Sequence, residues 1–112
     1  MQTEYFRLWL RANKTYPEPT IRTRISNCKN VEKYYGDLDK IISECGEAWL
    51  IQELSYSVQN ERDNVVPKIE INGNIRNGYA TLKKSIRLYF EMFQLDKNPS
   101  RTKYELYSTN KV

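Results

Sequence analysis

Between Tyr16 and Gly36 the chain carries a pattern that fits one kind of secondary structure. Ile21, Ile25, Cys28, Val31 and Tyr35 stand at i, i+4, i+7, i+10 and i+14, the spacing that gathers apolar side chains on one side of an α-helix. Pro17 and Pro19 cannot lie inside a helix, but Pro19 fits a first turn. Gly36 can supply the left-handed residue that stops the helix. The spacing therefore predicts a helix from about Glu18 or Thr20 to Tyr35. An apolar stripe of that length must be covered by other elements.

The same period recurs on both sides. Tyr5 or Phe6, Trp9 and Leu10, with Leu8 alongside, predict a first helix over residues 4–13. Asp37 can cap a short helix from Leu38 to about Cys45. Gly46 breaks it, and Trp49 or Leu50, Leu54 and Val58 predict a fourth helix from Glu47 to about Val58, followed by a polar loop at Asn60–Asn64. Residues 65–74 alternate Ile69 and Ile71 with charges as a strand would, but such a strand has no partner in the chain, so an extended loop is expected. Tyr79, Leu82, Ile86, Tyr89 or Phe90, and Phe93 define the clearest helix, Asn77 to Leu95. Adjacent Tyr89 and Phe90 are not expected both to face fully inward. The expected fold is all-α: a compact bundle of four to five helices over residues 1–95. A polar C-terminal extension, 96–112, reads as a tail or linker.

Composition limits the chemistry. The chain contains no histidine, so Ser-His-Asp and Cys-His catalysis and histidine-ligated zinc have no basis within it. Cys28 and Cys45 are too few for an all-cysteine zinc site or a disulfide framework, and both are expected as small buried side chains. The four glycines are scattered rather than grouped in a phosphate loop. Asp37, Asp39, Glu44 and Glu47 cluster where helices begin, which suits capping and dipole complementation better than a metal or acid–base site. No catalytic residue, metal or cofactor is assigned. The opening residues lack a signal-peptide pattern and no apolar run is long enough to span a bilayer, so a cytoplasmic, non-membrane protein is expected.

Charge is unevenly distributed. Residues 1–36 and 67–112 are net basic and residues 37–66 net acidic. On the second helix Arg22, Ser26, Lys29 and Lys33 form one stripe away from Ile21, Ile25 and Cys28, with Asn27 and Asn30 beside it. On the last helix Lys83, Lys84 and Arg87 lie opposite Leu82 and Ile86. Such stripes neutralise phosphates, and neighbouring hydroxyl and amide groups add positional hydrogen bonds.

Three segments carry a resemblance. Phe6-Arg-Leu-Trp-Leu10, the run from Tyr16 to Gly36, and Tyr79-Ala-Thr-Leu-Lys-Lys-Ser-Ile-Arg-Leu-Tyr-Phe90 together resemble the core-binding (SAM-like) domain of tyrosine recombinases and phage integrases. The likeness spans roughly residues 4 to 95 and consists of apolar positions rather than a motif. It implies a helical bundle gripping one side of duplex DNA. By position, Thr20, Arg22, Arg24, Ser26, Asn27, Lys29 and Lys33 would meet the DNA, with Lys83, Lys84 and Arg87 in support. The recombinase catalytic domain needs a Tyr nucleophile with Arg and His partners; without His or the length for it, this chain resembles only the DNA-gripping half. Similar modules also precede unrelated domains in mobile-element and defence proteins.

Nine tyrosines suggest a second surface, since Tyr is enriched at protein interfaces, although tyrosines edging the core with wet hydroxyls are the commoner arrangement. Tyr104, Leu106 and Tyr107 alternate with polar residues and suit docking onto a protein partner or a second copy. The alternative function is thus a protein-interaction or oligomerisation module.

Overall fold

The computed structural model describes residues 1–96, which form six helices and, among those residues, no strand. They are α1 (Thr3–Lys14), α2 (Glu18–Tyr35), α3 (Leu38–Glu44), α4 (Glu47–Glu53), α5 (Val58–Arg62) and α6 (Ile75–Asp96). The all-α reading holds. None of these helices is long and apolar enough to cross a membrane.

Local chemistry sets the breaks. Pro19 sits in the first turn of α2, where its missing N–H has no helical partner to lose. Gly36 ends the helix at φ +99°, and its N–H donates to the Glu32 carbonyl at 2.8 Å. The Asp37 carboxylate caps α3 by accepting the Lys40 N–H at 3.1 Å. The expected fourth helix is shorter than its apolar spacing suggested. The chain turns after Leu54, and a Ser57–Asn60 capping box starts α5 instead. In that box the Asn60 N–H donates to Ser57 Oγ at 3.0 Å, and the Ser57 N–H donates to Asn60 Oδ1 at 2.8 Å. The stretch before α6 is a loop pinned by its backbone: Ile69 is buried and its N–H donates to the Tyr79 hydroxyl at 2.9 Å.

α6 is the central element and packs against α2, α4 and α1. Phe6, Trp9 and Leu10 from α1, and Ile21, Ile25, Cys28 and Val31 from α2, close over Leu82, Ile86, Tyr89, Phe90 and Met92. Tyr89 and Phe90 are both buried, at 0% and 1% exposure, against the expectation that one would turn outward. The reason is that α6 is covered on more than one side. Phe6 meets the Tyr89 ring edge-on at 5.1 Å. The Tyr89 hydroxyl donates to Asp39 Oδ1 at 2.5 Å and accepts the Gln2 N–H at 2.8 Å, so its polar end is satisfied. Cys28 is buried as expected. Cys45 is exposed: it follows in line with Leu38 and Ile41 but stands one residue past the end of α3.

The direction of the helices follows from their contacts. The Met1 amino group reaches Glu32 at 2.8 Å near the end of α2, while Arg11 reaches Glu18 at 3.0 Å at its start. α1 and α2 are therefore antiparallel. On the other flank of α2, Thr20 shares a groove with Ala80 and Thr81, and Asn27 bonds to Ser85. α2 and α6 therefore run in the same sense, with their amino-terminal turns side by side.

Candidate nucleic-acid interface

Successive helical residues rotate by about 100°, so the neighbours of α2 divide its surface. Glu18 faces α1, and Arg24, Asn27 and Cys28 face α6. Arg22, Ser26, Lys29 and Lys33 are all exposed, on the side of α2 that continues from Glu18 and away from the seam with α6. The expected stripe is thus open to solvent. Lys33 lies over the Tyr34 ring, its Nζ 5.9 Å from the ring centre.

Two of the expected contact residues are placed differently. Asn27 donates from Nδ2 to Ser85 Oγ at 3.0 Å, so its amide is committed to the seam between α2 and α6. Arg24 is half-buried in the same seam. Its Nη1 lies 3.5 Å from Ser85 Oγ, its guanidinium carbon stands 5.9 Å from the centre of the Tyr16 ring, and its Nε is buried without an acceptor. Ser85 is fully buried and serves as the polar hub of the seam, since its backbone carbonyl also accepts from Cys28 Sγ at 3.5 Å. Nothing in the local sequence singles Ser85 out; its role comes from the partners that α2 brings to it.

A groove of about 530 Å³ opens along this seam. Thr20, Thr23 and Arg24 line it from α2, and Thr81 and Lys84 from α6, with Pro19 and Ala80 at its apolar edge. Among the described residues no carboxylate lines it. Thr23 and Thr81 donate their hydroxyl protons to helix carbonyls, at 3.0 Å each, which leaves their oxygens as acceptors. On α6, Lys84 and Arg87 are exposed and Lys83 is half-buried. The three fan across a wide arc of the helix rather than forming a narrow stripe, and only Lys84 joins the groove.

Ion pairing separates these cations from the rest. On α1, Arg7 and Arg11 hold Glu18 at 3.3 and 3.0 Å, and Lys14 holds Glu91 at 3.0 Å. Glu18 is consequently held below the usual carboxylate range, first by its hydrogen bond from Arg11. In contrast, Arg22, Lys29, Lys33, Lys83, Lys84 and Arg87 form no ion pair among the described residues.

The acidic segment lies elsewhere. Among the described residues its carboxylates make two ion pairs, Asp37 with the Met1 amino group at 2.6 Å and Glu61 with Arg76 at 3.1 Å. Beside it a smaller cleft of about 380 Å³ is lined by Tyr35, Asp37, Lys40, Ile41, Glu44 and Trp49, with Cys45 at its rim. Trp49 meets the Tyr35 ring edge-on at 6.1 Å, and Lys68 Nζ sits 4.1 Å from the centre of the same ring. The Tyr35 hydroxyl is pushed up to about 12 by burial and then by Glu53. Among the described residues no group of three or more Cys, Asp and Glu is arranged to hold a metal. Trp49, Val58, Val65 and Val66 remain exposed in this part of the molecule. Tyr104, Leu106 and Tyr107 lie outside the described residues.

The chain matches no protein-family model, no curated protein and no solved structure.

Proposed function

We propose that this chain is a non-catalytic, cytoplasmic DNA-binding module of the recombinase core-binding (SAM-like) type, such as a phage or other mobile element would carry. It grips duplex DNA by its backbone through the outer faces of α2 and α6. The observation that carries this reading is the division of the cations: those of α1 are neutralised within the fold, while Arg22, Lys29, Lys33, Lys84 and Arg87 stand on α2 and α6 without a counter-ion among the described residues. Cations presented in this way release condensed counter-ions from a polyanion and give binding that is steep in salt. Ser26 and Thr23 sit among them as neutral hydrogen-bonding groups. Fluorescence polarisation with a labelled mixed-sequence duplex at low salt tests the reading. Binding that weakens in Arg22→Ala, Lys29→Ala and Lys33→Ala is expected, and failure of every duplex to bind overturns it.

A second reading rests on the exposed apolar residues of the acidic part. Trp49 and Val65 are each 43% exposed and Val66 is 86% exposed, and exposed apolar side chains of this size suit a protein partner or a second copy. Light scattering over a range of concentrations separates the two: a concentration-independent dimer lost in Trp49→Ala favours the interaction module, and a monomer that binds only DNA argues against it.

A further inference from the structure

The exposed stripe explains general attraction to a polyanion; the groove between α2 and α6 is a more specific feature. Arg24 is its centre. Tyr16 and Ser85 hold the guanidinium in place from two sides, and its Nε–H is sealed from solvent without an acceptor. A guanidinium placed by its surroundings and lining an open groove can turn its remaining N–H donors to an oxyanion, since Arg presents several donors in a rigid fork. Lys84 faces the same space from α6, and Thr20 adds a hydroxyl, whereas the hydroxyl protons of Thr23 and Thr81 are given to helix carbonyls. Pro19 and Thr20 place one end of the groove at the first turn of α2, where the helix dipole adds positive potential. Among the described residues no carboxylate lines the groove.

We propose that this groove seats a single phosphate group, held by Arg24 and Lys84 with Thr20 as a hydroxyl donor. It rests on the duplex-binding reading only for the source of that phosphate, which is then one phosphodiester of the DNA backbone, fixing the register of the stripe on the duplex. A free phosphate offers the same chemistry.

Amide NMR titrations with inorganic phosphate, and separately with a short duplex, test the seat in the wild type and in Lys84→Gln. Chloride at matched ionic strength is the control. Phosphate is expected to move the amides of Thr20–Arg24 and Ala80–Lys84 saturably where chloride does not. Lys84→Gln, a change at an exposed position, is expected to weaken this about tenfold, as befits one lost charge-assisted hydrogen bond. Arg24→Lys keeps the charge but loses the fork, and a comparable loss there with an unchanged fold identifies the guanidinium as the main holder. A duplex that moves the same amides and competes with phosphate assigns the source to nucleic acid. Phosphate binding in the groove without any duplex binding leaves the seat standing while the DNA reading falls. If the duplex binds but neither ligand moves the groove amides, the seat is overturned and the DNA reading stands. No response to either ligand overturns the seat as well.

Discussion

Neutralising Lys29 and Lys33 together should flatten the salt dependence of duplex binding by a calculable amount. Arg22, Lys29, Lys33, Lys83, Lys84 and Arg87 are cations of α2 and α6 that carry no counter-ion among the described residues, Lys84 at the groove along the seam and the others outside it. If each meets one phosphate, about 6 phosphates are neutralised and log K falls against log salt with a slope of about −5.4. Raising salt from about 50 to about 200 mM then costs roughly 1,800-fold in affinity. Lys29→Gln with Lys33→Gln leaves about 4 contacts, a slope of about −3.6 and a loss over the same range of roughly 150-fold. Both positions are exposed and away from the core, so stability should move by no more than about 0.5 kcal/mol and the comparison is made on a folded protein. Lys40→Gln makes the same kind of charge change on α3, at an exposed position, and should leave the slope where it was. Polarisation titrations at four or five salt concentrations give the slopes directly. A double variant whose slope equals that of the wild type would show that α2 does not touch the phosphates, and the assignment of the binding face would be wrong.

Three further outcomes test the fold on which that face depends. A Cβ at Gly78 would overlap the Ile71 side chain; the overpacking costs about 1–3 kcal/mol against a helix-propensity gain of about 1, so Gly78→Ala should lower the melting temperature and should not do so in an Ile71→Ala background. Cys28 is buried and its thiol is pushed up by that burial, whereas Cys45 is exposed; a thiol reagent at neutral pH should label Cys45 quickly and Cys28 only on unfolding, since the thiolate is the reacting form. Asp37 is held below its ordinary value of 3.8, first by its hydrogen bond from the Met1 amino group. That stabilisation is complete above the unfolded value and is lost as pH falls through the lower folded one; with the side chain 51% exposed it amounts to no more than about 1 kcal/mol. Asp37→Asn, which keeps a capping oxygen, should therefore narrow the stability difference between neutral and strongly acidic pH, as urea titrations would measure.

The helices were legible in the sequence where one element's own period decides the matter. The positions from Ile21 to Val31 are buried as their spacing requires, and so are Leu82 and Ile86. What depends on a second element was not. Whether Tyr89 and Phe90 could share the interior turned on α6 being covered from more than one side. The end of α4 turned on a Ser57–Asn60 box that competes with continued apolar spacing. Arg24 reads as one more cation on α2 until Ser85, 61 positions away, fixes which way it faces. Local periodicity places a residue on a side of its helix; it does not say which neighbour that side will meet.

The charge pattern depends on the fold in the same way. Read along the chain, the first 36 residues are a basic block in which α1 and α2 contribute alike. In the fold the two helices take opposite roles. Antiparallel packing brings Arg7 and Arg11 onto Glu18, the acid at the start of α2, and the crossing of α1 over α6 brings Lys14 onto Glu91. α1 thereby neutralises acids on both helices that carry the proposed face, using cations that would otherwise add to the surface charge. Among the described residues the acidic segment pairs with the Met1 amino group and with Arg76 at the start of α6, and leaves Arg22, Lys29, Lys33, Lys84 and Arg87 without a counter-ion. A chain of modest net charge can in this way present a face more basic than its composition suggests. The field that a polyanion meets is set by which charges are left without partners after folding.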